Sequence, residues 1–135
     1  MINQAEILAV IHTLSANNAD IEVVWLYGSR ARNEAQGHSD FDLAIAFKNF
    51  KLSAIEKFLR PNELALDWSM SLDLPEKIVS IVDINQSPVY LNYTIIEEGI
   101  VIYQNQTARL YKEQNRISSQ YEYQNYVKFN DASDD

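Results

Sequence analysis

Residues 28–47 read GSRARNEAQGHSDFDLAIAF, and this stretch decides the fold. It opens on a Gly-Ser pair, crosses a polar segment, and ends in Asp40-Phe41-Asp42 running into an apolar strand. Side chains alternate between the faces of a strand. Asp40, Asp42, Ala44 and Ala46 therefore share one face, and Phe41, Leu43, Ile45 and Phe47 share the other, which reads as core. The first face begins with two carboxylates whose Cα atoms are roughly 7 Å apart. Two such charges raise at least one pKa unless a cation lies between them. Mg²⁺ suits oxygen donors, with phosphates completing its shell. Gly28 at a strand end lets a ligand approach the backbone closely. The Ser29 hydroxyl can donate to phosphate, and Arg30 and Arg32 add positive charge.

The flanking sequence alternates helices with strands. Ile7, Ile11 and Leu14 recur at helical spacing over residues 3–16. Residues 22–27, EVVWLY, read as a buried strand ahead of Gly28, and a second strand spans Asp40 to Phe47. Residues 53–73 read as a helix broken or bent at Pro61, opened by a Ser53/Glu56 capping box. A third strand covers 77–84, KIVSIVDI. Ser87 as N-cap and Pro88 at the first helical position start a helix that ends at Glu98, with Gly99 as its cap. A short strand at 100–103 and a helix over 107–128 follow. The expected fold class is α/β (α+β), a small mixed sheet flanked by helices in one domain over residues 1–128. Residues 129–135 read as a frayed acidic tail.

Composition narrows the function. The chain has 135 residues, no cysteine and a formal net charge of −8. Thiolate chemistry and disulfides are excluded. The charge disfavours direct binding of nucleic acid and favours basic partners. No membrane span or basic signal segment is visible, so a soluble cytoplasmic protein is expected. His38 in the loop and His12 on the first helix read as exposed side chains, and Trp25 and Trp68 as core or interface residues rather than substrate platforms. Tyr111, Tyr121, Tyr123 and Tyr126 crowd the last helix, either packing it on the domain or presenting a partner surface.

Taken together, Gly28-Ser29, ten intervening residues and Asp40-Phe41-Asp42 resemble the signature of the DNA polymerase β-like nucleotidyltransferases, and LYGSRAR…SDFDLAIAF is most similar to their minimal, MNT-type members. VDINQSPVYLNYTIIEEGIVIY matches their C-terminal half. The resemblance implies transfer of a nucleoside monophosphate from a triphosphate to a hydroxyl. It implies that Asp40 and Asp42 are catalytic and hold Mg²⁺, and that Gly28, Ser29 and Arg32 bind the nucleotide, ATP. Asn33 stands where the family has glycine, a mild departure because asparagine tolerates positive φ. Ser80 stands at the position of a third carboxylate. Asp83, three residues on, falls on the opposite strand face, where capping the turn before Ser87 is its expected role.

MNT-type members are antitoxins of HEPN-domain ribonuclease toxins. The resemblance thus implies a hetero-oligomer with a cognate HEPN toxin and AMP transfer to a toxin tyrosine. Two other functions fit the residues. One is a small-molecule transferase of the aminoglycoside-modifying kind. The other is a non-catalytic antitoxin that acts by binding alone, a reading motivated by Ser80.

Overall fold

The computed structural model describes residues 3–75 and 77–133. Residues 1, 2, 76, 134 and 135 lie outside the described residues, and with them both ends of the expected domain and tail. The elements in chain order are α1 (Gln4–Ala16), β1 (Ile21–Tyr27), a 3-10 turn (Gly28–Arg30), β2 (Phe41–Phe47), α2 (Ala54–Leu72), β3 (Val79–Asp83), α3 (Val89–Glu98), β4 (Ile100–Gln104) and α4 (Thr107–Ser133). The four strands form one mixed sheet in the order β3-β2-β1-β4. β1 pairs antiparallel with β2 and with β4, and β2 pairs parallel with β3 through the α2 crossover. The expected mixed α+β architecture is the one observed.

Both faces of the sheet are covered. Val24, Leu26, Phe41, Leu43, Ile45 and Ile81 form one core with Ile7 and Ile11 of α1 and Trp68 and Leu72 of α2. Val23, Trp25, Ala44 and Ala46 form the other, with Ile95 of α3 and Leu110 and Ile117 of α4. The small residues Ala44 and Ala46 leave room for the Trp25 ring on their face. Burying a side chain of Leu or Ile size stabilises by about 1.5–3 kcal/mol, so these two clusters fix the β1–β2 pair that carries the candidate site. Trp25 and Trp68 are core, as expected.

Several boundaries differ from the sequence reading. β2 starts at Phe41, not Asp40, because the Phe41 amide makes the first bond to the Ile78 carbonyl, at 2.7 Å. Asp40 therefore projects from the loop. α2 is continuous through Pro61. A mid-helix proline costs about 3 kcal/mol. Here Pro61 is buried, on the same helix as the core residues Ala65, Trp68 and Leu72, and that packing offsets the loss. The Ser53/Glu56 capping box is present as expected. Ser87 does not cap α3: its hydroxyl donates back to the Asp83 carbonyl at 2.8 Å, and Pro88 takes the cap position. Gly99 is extended, at φ −73° and ψ 156°, rather than left-handed. Glycine is needed there for space, since a Cβ would collide with the Ile95 carbonyl oxygen. α4 continues to Ser133, through residues expected to fray, because no glycine or proline interrupts it.

Candidate nucleotide-transfer site

The candidate residues gather at one end of the β1–β2 pair. Tyr27, the last residue of β1, is the register partner of Asp42, and Ser80 of β3 is its partner on the other side. Asp42 thus sits mid-sheet, between the Gly28-Ser29 turn and the β3 edge. Gly28 has φ +76°, a conformation that side chains disfavour, and a Cβ there would run into the Asp42 carboxylate. Both requirements fix glycine at this position. The turn braces itself: the Gly28 carbonyl accepts from the Ala31 and Arg32 amides at 3.1 and 3.2 Å, and the Ser29 carbonyl from Glu34 at 2.9 Å. The half-exposed Ser29 hydroxyl makes no hydrogen bond among the described residues. Asn33 takes positive φ, at 60°, as its family position suggested.

The two arginines part company. Arg30 braces the loop, donating to the Ser39 carbonyl at 2.8 and 3.0 Å and to Gln4 at 2.9 Å, with its guanidinium over the Phe41 ring. Arg32 is exposed and pairs with Glu34 at 3.1 Å and Glu98 at 3.6 Å, while its charge also reaches Asp42. Of the two arginines, Arg32 is the one whose charge acts on Asp42.

Neither Asp40 nor Asp42 makes a hydrogen bond or ion pair among the described residues. Burial first, and then the charge of Asp40, push the Asp42 carboxyl above the usual range, and Arg32 pulls it back only in part. The mutual repulsion expected of the Asp-x-Asp pair is therefore present. Tyr27 is a site residue that the sequence reading passed over. Burial and the nearby Asp42 charge raise its phenol to about 12, so it stays protonated at neutral pH. Its position directly before Gly28, at the end of a strand that pairs with Asp42, was the available signal.

At the third corner stands the half-buried Ser80, in register with Asp42. Among the described residues no group of three or more His, Cys, Asp or Glu side chains is arranged to hold a metal ion. Two hard carboxylate oxygen donors with no protein partner nevertheless suit a divalent cation that takes its remaining ligands from phosphate and water. Asp83 lies elsewhere. Its side chain is buried, accepts from the Asn85 amide at 2.9 Å and meets Arg60 of α2 at 3.3 Å. It caps the turn toward Ser87, as expected, and does not approach Asp42.

His38 is exposed and lines a separate cleft with Ile7, Arg30 and Phe41. His12 is exposed and meets Tyr103 edge-on, with ring centroids 5.5 Å apart. The tyrosines of α4 divide: Tyr121 stacks on Tyr93 of α3 at 3.7 Å, whereas Tyr111, Tyr123 and Tyr126 stay exposed. Among the described residues no helix is long and apolar enough to cross a membrane.

A family described as Polymerase beta, Nucleotidyltransferase matches residues 9–108. The chain belongs to this nucleotidyltransferase family, and Gly28, Ser29, Arg32, Asp40 and Asp42 all fall inside the matched segment. Solved structures that share its fold include toxin–antitoxin complexes. A toxin–antitoxin complex with AMP-PNP is 20% identical at a TM-score of 0.70, covering 93% of this chain and 94% of that one. An MNT antitoxin in complex with a tri-AMPylated HEPN toxin of Shewanella oneidensis is 19% identical at 0.67, covering 98% of both chains. A MntA–HepT toxin–antitoxin complex is 19% identical at 0.66, covering 98% of this chain and 97% of that one. No curated protein matches in sequence.

Proposed function

We propose that this chain is the antitoxin of a HEPN toxin pair and neutralises its toxin by transferring AMP from ATP to a tyrosine hydroxyl. The observation that carries this reading is the pair Asp40 and Asp42, unpartnered and mutually repelling, set against the Gly28-Ser29 turn. Family membership supports nucleotidyl transfer. The AMP-PNP complex and the AMPylated toxin among proteins of the same fold support the nucleotide and the acceptor.

In this reading Gly28 and Ser29 receive the triphosphate, and Arg32 leaves Glu34 and Glu98 to pair with it. Asp40 and Asp42 hold Mg²⁺, which neutralises charge on the phosphates when bound. The phenolic oxygen attacks the α-phosphorus and an O–P bond forms. The bond to the bridging oxygen breaks, and its electron pair departs with pyrophosphate. The phenolic proton goes to a base from the partner or solvent, because Ser80 is not basic at neutral pH. Tyr27, held neutral, stands beside Asp42 without adding charge. A cytoplasmic setting and a hetero-oligomer with the toxin follow from the same reading.

The test is the intact mass of the purified HEPN toxin after incubation with this chain and Mg-ATP. The expected result is one or more additions of about 329 Da, one per adenylyl group. A toxin that is silenced without gaining mass would contradict the transfer and favour neutralisation by binding. Modification of aminoglycosides with no protein present would favour the small-molecule reading.

A further inference from the structure

An apolar stripe on the outside of α2 has no partner in the described structure. Ile55, Phe58, Leu59, Leu66 and Met70 are 67, 70, 40, 44 and 72% exposed. Their spacing places them on one side of the helix, next to the arc of Ala65, Trp68 and Leu72 that packs on the sheet. The stripe falls into two apolar groups, Ile55/Phe58/Leu59 and Leu66/Met70, with the exposed Asn62 between them on the same face. Clustered exposed side chains of this size mark an interaction surface more often than scattered singles do. Glu63 and Asp67, one turn apart and exposed, border the stripe on the side away from the core.

The stripe runs into the β3 edge. On the α2 face of the β3 edge, a cleft of about 410 Å³ is lined by Asn62, Ala65 and Leu66 of α2 and by Val79 and Ile81, and it reaches the Asp42 face only around the edge, at Ser80. Leu66 belongs to both the stripe and the cleft. Ser80 is the register neighbour of Asp42. In an in-line displacement the attacking and leaving oxygens lie on opposite sides of phosphorus. Gly28-Ser29 lies on the β1 side of Asp42, so a triphosphate gripped there releases pyrophosphate on that side. The attacking hydroxyl must then arrive from the β3 side, over Ser80.

We infer that the α2 stripe, continuous with the Ser80 cleft, is the surface on which the protein acceptor docks. The inference rests on the transfer reading above and adds where the acceptor lands. Its occupant is the toxin protein rather than a second copy of this chain. The cleft receives an attacking side chain, and the acidic border, on a chain of net charge −8, suits a partner of opposite charge and repels a second copy of this chain. α4, which also carries exposed aromatics, packs mainly on α3 and reaches Ile84 and Asn85 just past the far end of β3, away from Ser80.

The test compares wild type, an α2 double variant (Phe58→Glu with Met70→Glu) and an α4 control (Tyr123→Glu with Phe129→Glu). All four positions are exposed, so the fold should survive, and AMP-PNP affinity checks the nucleotide end. The α2 variant should need at least about tenfold more toxin for half-maximal transfer, the loss expected of a docking hot spot. Its AMP-PNP binding should be unchanged, and the α4 control should match wild type. Unimpaired transfer by the α2 variant, or a loss confined to the α4 control, would overturn the inference. So would an α2 variant that alters only self-association of this chain. If wild type forms the toxin complex but adds no mass, the transfer reading fails, and complex formation then judges the surface alone. Loss of the complex in the α2 variant supports docking there, and its retention overturns it.

Discussion

Asp42 and Glu113 are both acids beside the same sheet, and the protein treats them in opposite ways. Glu113, on α4, is buried and fully served. Its oxygens accept from Arg109 at 2.9 Å, Asn85 at 3.1 Å and Arg116 at 2.7 Å. Arg109 in turn reaches Glu22 and the Phe47 carbonyl, both at 2.8 Å. Burial raises the Glu113 carboxyl, but the bonds from Asn85, Arg116 and Arg109 outweigh it and hold the group below its ordinary range. Asp42 is half-buried, has no such partners, and titrates above its ordinary range. The difference teaches where to look for chemistry. A carboxylate whose bonding capacity is spent inside the fold maintains the fold. One held with that capacity unspent, beside a second like itself, is a candidate for binding a ligand. Asp83, bound to Arg60 and Asn85, belongs with Glu113.

This contrast can be broken by substitution. The largest expected effect on folding comes from Glu113→Ala, which leaves Arg109 buried without one of its two acids. Removing one partner of a buried pair costs about 3–5 kcal/mol, read as a lower urea midpoint with transfer per folded molecule unchanged. Gly28→Ala comes next. The positive φ and the collision with Asp42 should cost about 1–3 kcal/mol and weaken AMP-PNP binding measurably in titration calorimetry. Ser80→Asp should place a carboxylate beside Asp42 and speed transfer by about a hundredfold or more, the usual range for a general base. An unchanged single-turnover rate would mean that another group already takes the proton. The smallest effects are in pH. Glu113 has a depressed folded pKa, so its stabilisation is complete above its unfolded value and is lost as pH falls through the folded value. Asp42 has the opposite sign: its ionised form opposes folding at neutral pH without a cation. Asp42→Asn should therefore raise the Tm of the metal-free protein, measured by calorimetry, and the gain should vanish in acid.

The same contrast explains what could be read from the sequence. The candidate site was legible because its parts are close along the chain. Gly28, Ser29, Asp40 and Asp42 lie within one hairpin, and strand alternation directs Asp42, while Asp40 sits in the loop just before the strand. The opposite placement of Ser80 and Asp83 followed from the same alternation. Tyr27 was missed because its significance lies in the antiparallel register with Asp42. The Glu113 cluster was illegible because it joins distant residues: Arg109 meets Glu22 across 87 positions. Of the two outcomes expected at Pro61, the break does not occur, because packing of the surrounding apolar face outweighs local propensity. Gly99 caps α3 as expected, but the reason glycine is needed there, to clear the Ile95 carbonyl, lies in the packing.

One side-by-side measurement bears on the central claim: initial AMP transfer to the HEPN toxin, per folded molecule, in Asp42→Ala and Glu113→Ala. The account predicts that Asp42→Ala keeps its fold and loses at least about a thousandfold in rate, since a bound metal supplies several kcal/mol of charge stabilisation. Glu113→Ala should lose stability and keep its rate. Transfer by Asp42→Ala at the wild-type rate would contradict the assignment of chemistry to the unpartnered aspartates.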